Sequence, residues 1–392
     1  MSYMFDGCKL LEYIPTLKAN NLTNTSYMFQ ECTSLKQFPL FENMGKLTNM
    51  AYMFSGCTNL ENAYMNSYDT SSVTNMSYMF SGCTSLEELN FSGCDLSKVT
   101  TWTNITNNCN ALTKTIFNST KIGNGFRFSY FKGLKTYENL DTSALTHTQY
   151  LFTDANSNNV DISKFNLSNV TDMSYTFSGN TSSSIILGNV NTSKVTNMAY
   201  MFNGCSKITE LDLSGLDVSK VTNMDSIFYN CTSLKSINTT GWNTESLTNL
   251  SSAFYYVPSD VNISHWNTSK VTNISYMFGY FKGSNIVLDN LDLSNVTSYS
   301  NIWSNMSTSI TLSLNNTKLF NGFKVAPKAT SVNLNNTTGY LDNLFGNCSS
   351  LISVDLSKFN MLGTNMNSTF SGCSKLTSID ISVLNTSSIT NM

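Results

Sequence analysis

The chain has 392 residues, of which 12% are charged and 41% are hydrophobic, and its formal net charge is -3 with a pI near 5.4. A composition this poor in charge lacks the basic surface that a phosphate backbone requires, which argues against a nucleic-acid partner. No window approaches the roughly 20 apolar residues that cross a bilayer, and residues 1–8 lack the pattern of a signal peptide. We therefore expect a polar, uncharged surface around a sizeable core, and no transmembrane segment.

A repeat of about 25 residues, marked by the Phe of a Met-Phe pair, runs along the sequence. One complete copy extends from Val73 to Lys98, and the pattern begins again at Val99. The marker positions are Phe5, Phe29, Phe54, Phe80, Phe152, Phe177, Phe202, Phe228, Phe254, Phe278, Phe345 and Phe370, with Ile105 and Trp303 as substitutes. Two doubled gaps each fit two coils, so this periodicity predicts a repeat solenoid of about 16 coils.

Each coil contains the signals of one short strand and one short helical segment. Residues 86–91 (Leu-x-x-Leu-x-Phe) alternate apolar and polar side chains, as a half-buried strand does. Stacked coils would pair these strands in parallel. The residues that share one face of the helical or 3₁₀ segment opposite are Val73, Met76, Met79 and Phe80. We predict one short parallel β-strand per coil opposite this segment.

Unbroken periodicity predicts a single continuous solenoid over residues 1–392. Neither end carries the polar cap that end coils need, so we expect the sequence to be part of a longer protein. Two irregular coils, at about 110–145 and 304–340, lack the marker pattern. They resemble each other, because residues 120–127 (TKIGNGFR) match residues 317–324 (TKLFNGFK).

Aromatic and cationic residues gather in the first irregular coil, and a shorter cluster echoes them further along the chain. In a chain this poor in charge, such clusters are the best candidates for a ligand-binding patch. The predicted binding residues are Phe126, Arg127, Tyr130, Phe131, Lys132, Tyr280, Phe281 and Lys282. The alternative is a strand whose alternation buries Phe126, Phe128 and Tyr130 in the core.

A cysteine follows most marker phenylalanines by three residues. The predicted structural ladder consists of Phe54, Phe80, Phe202, Phe228, Cys57, Cys83, Cys205 and Cys231. We interpret these cysteines as small buried thiols, because parallel Cβ vectors on adjacent coils disfavour disulfides. A metal site lacks ligands, since the sequence has no CxxC and its only histidines are His147 and His265. We predict neither a metal nor a cofactor.

Two further columns recur with the repeat. The first, two residues before the marker, consists of Tyr3, Tyr27, Tyr52, Tyr78, Tyr150, Tyr175, Tyr200 and Tyr276. These tyrosines either stack coil on coil or form an aromatic surface for sugar rings or a partner protein. The second column is an Asp or Asn before the helical segment. We interpret it as turn formation and capping rather than calcium binding, since Asn often replaces Asp.

The coil motif of residues 73–93 (VTNMSYMFSGCTSLEELNFSG) resembles the repeats of BspA-like leucine-rich-repeat surface proteins of bacteria and some parasitic protists. The resemblance covers nearly the whole chain and weakens over the two irregular coils. It implies a leucine-rich-repeat-like fold, export to the cell surface, and adhesion to host or microbial surface proteins or glycans. No catalytic residues come with it.

Three functions are compatible with these features of the sequence. The first is a non-enzymatic, surface-displayed binding scaffold or adhesin, whose weak repeated contacts add through multivalency. The second is a passive stalk that presents another domain, which the aromatic clusters disfavour. The third is a polysaccharide-active enzyme, which would need paired acids on adjacent coils. The outward acidic positions are scattered over distant coils and are Glu87, Glu88, Glu210, Asp212, Asp355 and Asp380.

Overall fold

A computed structural model of the chain describes residues 1–154 and 159–392. The chain divides into two compact units. Of the described residues, the first unit contains 1–154 and 162–170, and the second contains 159–161 and 171–392. Each unit is built of coils joined by short parallel strands, and their continuity as one solenoid stays a prediction. Within the described ranges, no helix is both long enough and apolar enough to cross a membrane.

The strands of the first unit pair in parallel with strands of neighbouring coils. They are β1 (Leu17–Lys18), β2 (Phe41–Glu42), β3 (Asn62–Tyr64), β4 (Glu88–Asn90), β5 (Asp95–Leu96), β6 (Lys114–Ile116), β7 (Lys121–Ile122) and β8 (Leu134–Thr136). Strands β3, β4, β6 and β8 form a four-stranded sheet, while β1 pairs with β2 and β5 pairs with β7. Two 3₁₀ helices cover Met65–Ser67 and Phe128–Tyr130.

The second unit repeats this construction. Its strands are β9 (Asn159–Asp161), β10 (Ser184–Ile186), β11 (Glu210–Asp212), β12 (Ser236–Asn238), β13 (Val261–Asn262), β14 (Asn285–Val287), β15 (Ile310–Ser313), β16 (Ala329–Asn333), β17 (Thr338–Tyr340) and β18 (Asn360–Leu362). Strands β13 to β16 form a four-stranded sheet in chain order, and the others form the pairs β9–β10, β11–β12 and β17–β18.

Strand pairing shows the length of a coil directly. Leu89 of β4 pairs with Ala63 of the preceding coil and with Thr115 of the following coil, so the two steps along the chain are equal. The parallel β-solenoid predicted from the sequence is therefore confirmed. It has about 13 turns, fewer than the predicted number. Among the described coils, those marked by Phe5, Phe29, Phe345 and Phe370 form no strand at the Leu-x-x-Leu position.

The segment opposite the strand is a run of tight turns, which corrects the predicted helical segment. Tyr78 has a φ of 55°, and a left-handed residue inside each turn prevents an α-helix from propagating. The backbone amides of Tyr78 and Phe80 instead donate to the carbonyls of Thr103 and Ile105 in the next coil, at 2.8 and 3.0 Å. Hydrogen bonds between coils thus replace those of a helix.

The core of each unit contains ladders of identical side chains. Rings of Phe54 and Phe80 stack with centroids 5.7 Å apart, and those of Phe202 and Phe228 stack at 5.9 Å. All four rings are fully buried. Because neighbouring coils have nearly equal lengths, each ring lies over the equivalent ring of the next coil.

Eight of the ten cysteines are buried, whereas Cys8 is exposed and Cys373 is half-buried. The four cysteines of the predicted ladder are buried, and their thiols form hydrogen bonds between coils. Cys83 Sγ donates to the Phe54 carbonyl at 3.1 Å, and the residues that donate in the same way are Cys57, Cys205 and Cys231. All ten cysteines are free thiols. Burial raises the pKa of the Cys231 thiol to about 12, which suppresses the reactive thiolate. Across the described residues, no group of three or more His, Cys, Asp or Glu could hold a metal ion.

Candidate functional site

The aromatic-cationic patch predicted from the sequence separates into buried rings and exposed polar groups. Phe126, Phe131 and Phe281 are 1%, 5% and 0% exposed, so they cannot contact a ligand. This burial corrects the predicted patch, from which the three phenylalanines are removed. The alternative prediction is a strand that buries Phe128 and Tyr130 together with Phe126. Phe128 is buried, whereas Tyr130 is only half-buried.

The three buried phenylalanines fill the cores of their coils. In the first irregular coil, Phe126 meets Phe117 and Phe128 edge to face, with centroids 5.2 and 5.0 Å apart. Phe131 packs against Phe117 at 4.8 Å. Phe281 meets Phe278 edge to face at 5.7 Å. These contacts give the rings a packing role, since edge-to-face pairs are a favoured arrangement of buried aromatic side chains.

The remaining predicted residues form two small surface groups. Arg127 lies between two tyrosines, with its guanidinium carbon 4.4 Å from the Tyr150 ring centroid and 5.7 Å from that of Tyr130. Lys132 is exposed. Cation–π contacts near a protein surface contribute roughly 0.5–1 kcal/mol, so these two contacts help to hold the half-buried Arg127 side chain in place.

The second surface group is a cluster of half-buried tyrosines in the second unit. Tyr256 and Tyr280 stack at 4.5 Å, and Lys282 Nζ lies 5.6 Å from the Tyr256 ring centroid. Tyr255 stacks on Tyr229 with ring centroids 4.7 Å apart. The pKa of Tyr255 is raised, chiefly by burial and in addition by the neighbouring tyrosines. The cluster therefore presents closely packed rings with one exposed ammonium group at their edge.

The tyrosine column predicted from the sequence forms a ladder in the first unit. We call Tyr3, Tyr27, Tyr52 and Tyr78 the tyrosine ladder. Successive rings lie 4.6 Å apart between centroids, with interplanar angles of 5 to 8°. The spacing approaches that of neighbouring strands, so coil stacking sets it. Tyr3 is exposed and the other three rings are half-buried.

Each tyrosine of the ladder has a left-handed backbone, with φ between 55 and 61°. This conformation costs an L-residue roughly 1–2 kcal/mol, and Asn tolerates it better than most. Other coils place Asn or Ser at the same position with the same sign of φ, namely Asn104, Ser226, Ser252, Asn301 and Ser368. The backbone conformation therefore does not require tyrosine, and a property of the tyrosine ring must explain its use at these four positions.

A cavity of about 420 Å³ lies beside the second irregular coil. Tyr299, Trp303 and Lys324 line it, and the predicted binding residues do not include them. Two signals in the sequence pointed to this region. Trp303 replaces the marker Phe, and Lys324 occupies the position that Arg127 has in the first irregular segment.

Four of the six acidic residues weighed for catalysis form structural contacts. Asp212, Asp355 and Asp380 each accept a hydrogen bond from the backbone amide two residues later, at 3.2, 2.8 and 2.9 Å. Glu88 pairs with Lys114 at 2.9 Å. Hydrogen bonds from the Ser214 side chain and backbone lower the pKa of Asp212. The aspartate contacts are those of Asx turns, in which the carboxylate stabilises the bend of its own coil.

Sequence comparison places the chain in a family. The family described as "Mycoplasma protein of unknown function, DUF285" matches residues 41–129, 125–239, 222–340 and 315–392. The matches together span most of the chain, and the chain belongs to this family. No curated protein sequence matches the chain.

Several solved structures are similar to the chain. A leucine-rich-repeat protein from Bacteroides ovatus is 13% identical, with 93% of this chain and 87% of that chain covered and a TM-score of 0.37. An internalin from Listeria monocytogenes is 14% identical, with coverage of 86% and 84% and a TM-score of 0.22. A leucine-rich-repeat protein from Leptospira interrogans is 13% identical, with coverage of 92% and 90% and a TM-score of 0.25.

Proposed function

We propose that the chain is a non-enzymatic binding scaffold displayed on the cell surface, where its tyrosine ladder contacts host or microbial surface proteins or glycans. The observation that carries the proposal is the choice of tyrosine at four successive left-handed positions, Tyr3, Tyr27, Tyr52 and Tyr78. Surface display is the part that rests on the resemblance to BspA-like proteins.

The geometry of the ladder suits binding. Tyrosine offers a large contact area with only two rotatable side-chain bonds, so it loses little entropy when a partner docks. Stacking at 4.6 Å holds each ring in place before any partner arrives. An extended partner could contact several rings at once, and weak contacts repeated along it would add through multivalency.

The alternative function is a passive stalk, in which the ladder only covers and stiffens the coils. Aromatic stacking contributes roughly 0.5–1.5 kcal/mol per pair, which is enough to offset much of the backbone cost. Burial of Phe126, Phe131 and Phe281 favours this alternative, because it removes the aromatic patch predicted from the sequence. Binding measurements with a ladder variant distinguish the two functions.

The test uses a variant with Tyr27→Asn, Tyr52→Asn and Tyr78→Asn. Asn occupies the same left-handed position in other coils, as at Asn104, so the fold should be kept while the rings are lost. Wild type and variant are assayed against a panel of extracellular-matrix proteins and glycans. We expect saturable wild-type binding that the variant weakens at least about tenfold, with an unchanged circular dichroism spectrum.

The matched control carries Tyr13→Asn and Tyr64→Asn, which removes two tyrosines that are 61% and 45% exposed and lie outside the ladder. It should bind as the wild type does. Equal binding by the ladder variant would show that the ladder is not the binding surface. A folded wild-type chain that binds nothing on the panel would favour the stalk.

A further inference from the structure

The cavity beside the second irregular coil has the size and lining of a small-ligand site. Its volume is about 420 Å³, within the range of small-molecule pockets. The residues that line it include Tyr299, Ser300, Asn301, Trp303, Ser304 and Lys324. Aromatic walls with a few polar groups at defined positions are typical of such pockets.

The walls of the cavity are held by packing and hydrogen bonds. Trp303 stacks on the buried Phe278 with centroids 5.2 Å apart and an interplanar angle of 9°. Its indole Nε1 donates to the Lys324 carbonyl at 2.8 Å, which fixes the irregular coil against the tryptophan. Tyr299, which is 39% exposed, packs on Phe320 at 4.5 Å. The aromatic groups are therefore oriented before a ligand enters.

A glycine leaves space beside this wall. Gly322 has a φ of 95°, which L-residues with side chains rarely adopt. A Cβ atom at this position would lie 3.0 Å from the Tyr299 hydroxyl. The glycine therefore allows the chain to approach the tyrosine closely.

Several polar groups of the cavity have unused hydrogen-bonding capacity. Ser304 Oγ is buried and has no hydrogen-bond partner among the residues that the structure describes. The atom has almost no accessible surface, so this hydroxyl does not contact a ligand in the cavity. The Asn301 amide donates to the Tyr276 hydroxyl at 3.0 Å, and its carbonyl oxygen remains available. Lys324 is exposed and forms no ion pair within the described ranges.

We propose that this cavity binds a sugar residue that bears a carboxylate. The Tyr299 ring, which is 39% exposed, offers apolar surface to the face of a pyranose ring, while the exposed neutral side chains of Ser300 and Asn301 match its hydroxyl groups. Lys324 supplies the single cation and pairs with the carboxylate through a charge-assisted hydrogen bond. One positive charge among several neutral polar groups fits an acidic sugar better than a simple anion.

The cavity lies outside the tyrosine ladder, so its ligand is tested separately from the ladder's partner. The experiment titrates the full chain with glucuronate, galacturonate and N-acetylneuraminate, and with the neutral counterparts glucose, galactose and N-acetylmannosamine. Acetate is the seventh probe. Tryptophan fluorescence reports binding, because Trp303 forms part of the cavity wall.

At least one acidic sugar should bind saturably and about tenfold more tightly than its neutral counterpart, since tenfold corresponds to about 1.4 kcal/mol. Lys324→Gln should remove that difference, and Tyr299→Ala should weaken binding of the acidic sugar and its counterpart alike. The matched control, Lys270→Gln, neutralises another exposed lysine of the same unit and should bind as the wild type does. Circular dichroism of each variant confirms that the fold is kept.

Three results would overturn the proposal. The first is failure of all three acidic sugars to bind the folded wild-type chain. The second is equal affinity within every pair of acidic sugar and neutral counterpart, which would remove the role of Lys324. The third is acetate binding as tightly as the acidic sugars, which would make the cavity a site for a simple carboxylate.

Discussion

The regular coils of the first unit and its irregular coil contain the same aromatic residues in different arrangements. In the regular coils, the rings of Phe54 and Phe80 are nearly parallel, with an interplanar angle of 6°. In the irregular coil, Phe126 meets Phe117 and Phe128 at 87 and 85°. The same side chain therefore forms a ladder in one region and an edge-to-face cluster in the other.

Coil length explains the difference. In the regular coils, Leu89 pairs with Ala63 before it and Thr115 after it, at equal steps along the chain. Across the irregular coil, Thr115 pairs with Leu134, which is a clearly shorter step, and the register shifts after this pair. A shorter coil cannot place each side chain over its counterpart, so its rings pack across the core instead.

The second irregular coil follows the same rule in the second unit. Thr311 pairs with Ser331, a similarly short step along the chain, next to another register shift. Phe320 and Phe323 meet there at 82°, and the cavity lined by Trp303 opens beside them. Coils of equal length build ladders, and coils that break the phase build clusters and cavities.

The largest expected effect tests whether the irregular cluster is as well packed as the ladder. Phe80→Ala and Phe126→Ala should each lower the free energy of unfolding by about 3–5 kcal/mol, because both rings are buried. Urea denaturation measures the loss. The control, Tyr13→Ala, removes an exposed ring and should change stability by less than about 0.5 kcal/mol. If Phe126→Ala lost as little stability as Tyr13→Ala, Phe126 would again be a candidate for the binding surface.

A smaller effect separates two glycines that both have positive φ. Gly133, before β8 in the irregular coil, has a φ of 62°, and a Cβ there would overlap the backbone of Thr113 and lie 2.7 Å from the Lys114 nitrogen. Gly93 has a φ of 75°, and its Cβ would meet nothing within 4 Å. Gly93→Ala should therefore cost about 1–2 kcal/mol from backbone strain alone.

Gly133→Ala should cost about 1–3 kcal/mol more than Gly93→Ala, because overlap adds to the strain. Urea denaturation measures the unfolding free energy of both variants. The difference between them reports the cost of overlap where the irregular segment brings neighbouring coils close together. Equal losses would mean that β6 and β8 separate easily, and that the short coil is not under tight constraint.

The sequence predicts the regular coils well because equal spacing carries positional information. A residue at a constant offset from the marker, such as Cys83 or Phe80, occupies the same place in every coil. The irregular coil offers no such reference. The clustering of aromatic and cationic residues predicted a binding patch over residues 126–132, and alternation predicted a strand instead. The structure forms a 3₁₀ helix at Phe128–Tyr130 and packs Phe131 in the core.

Two features of the candidate sites depend on contacts that periodicity does not encode. Tyr78 gives no local sign of a left-handed backbone, since this conformation is typical of Gly and Asn. The asparagines at the same position of other coils, Asn104 and Asn301, hint at it. The cavity joins residues 299–304 to residues 322–327 through a coil of unusual length, so no local pattern could place Tyr299 near Lys324.

The smallest expected effect concerns turns that are alike in regular and irregular coils. Asp141 lies near the end of the first irregular coil and Asp217 lies among regular coils, and each accepts a hydrogen bond from the backbone amide two residues later, at 3.0 Å. Hydrogen bonds from the side chain and backbone of Ser143 lower the pKa of Asp141, and those of Ser219 lower the pKa of Asp217. A lowered pKa means that folding favours the carboxylate.

The stabilisation from each carboxylate is therefore present above its ordinary pKa of 3.8 and is lost as the pH falls through the lower folded-state value. Asn forms the same turn without titrating, as at Asn191, whose Oδ1 accepts from the Ser193 amide at 3.1 Å. Asp141→Asn and Asp217→Asn should thus change stability by less than about 0.5 kcal/mol at pH 7. Each should also reduce the further loss on acidification.

Urea denaturation at pH 7 and pH 3 measures both quantities for the wild type and the two variants. Similar results for Asp141→Asn and Asp217→Asn would mean that the carboxylate contributes equally to the turn in irregular and regular coils. A change of coil length would then alter the packing of the core and not the turns. A variant that loses as much stability in acid as the wild type would contradict the role assigned to its carboxylate. A larger effect at Asp141 than at Asp217 would instead extend the influence of the irregular coil to its neighbouring turn.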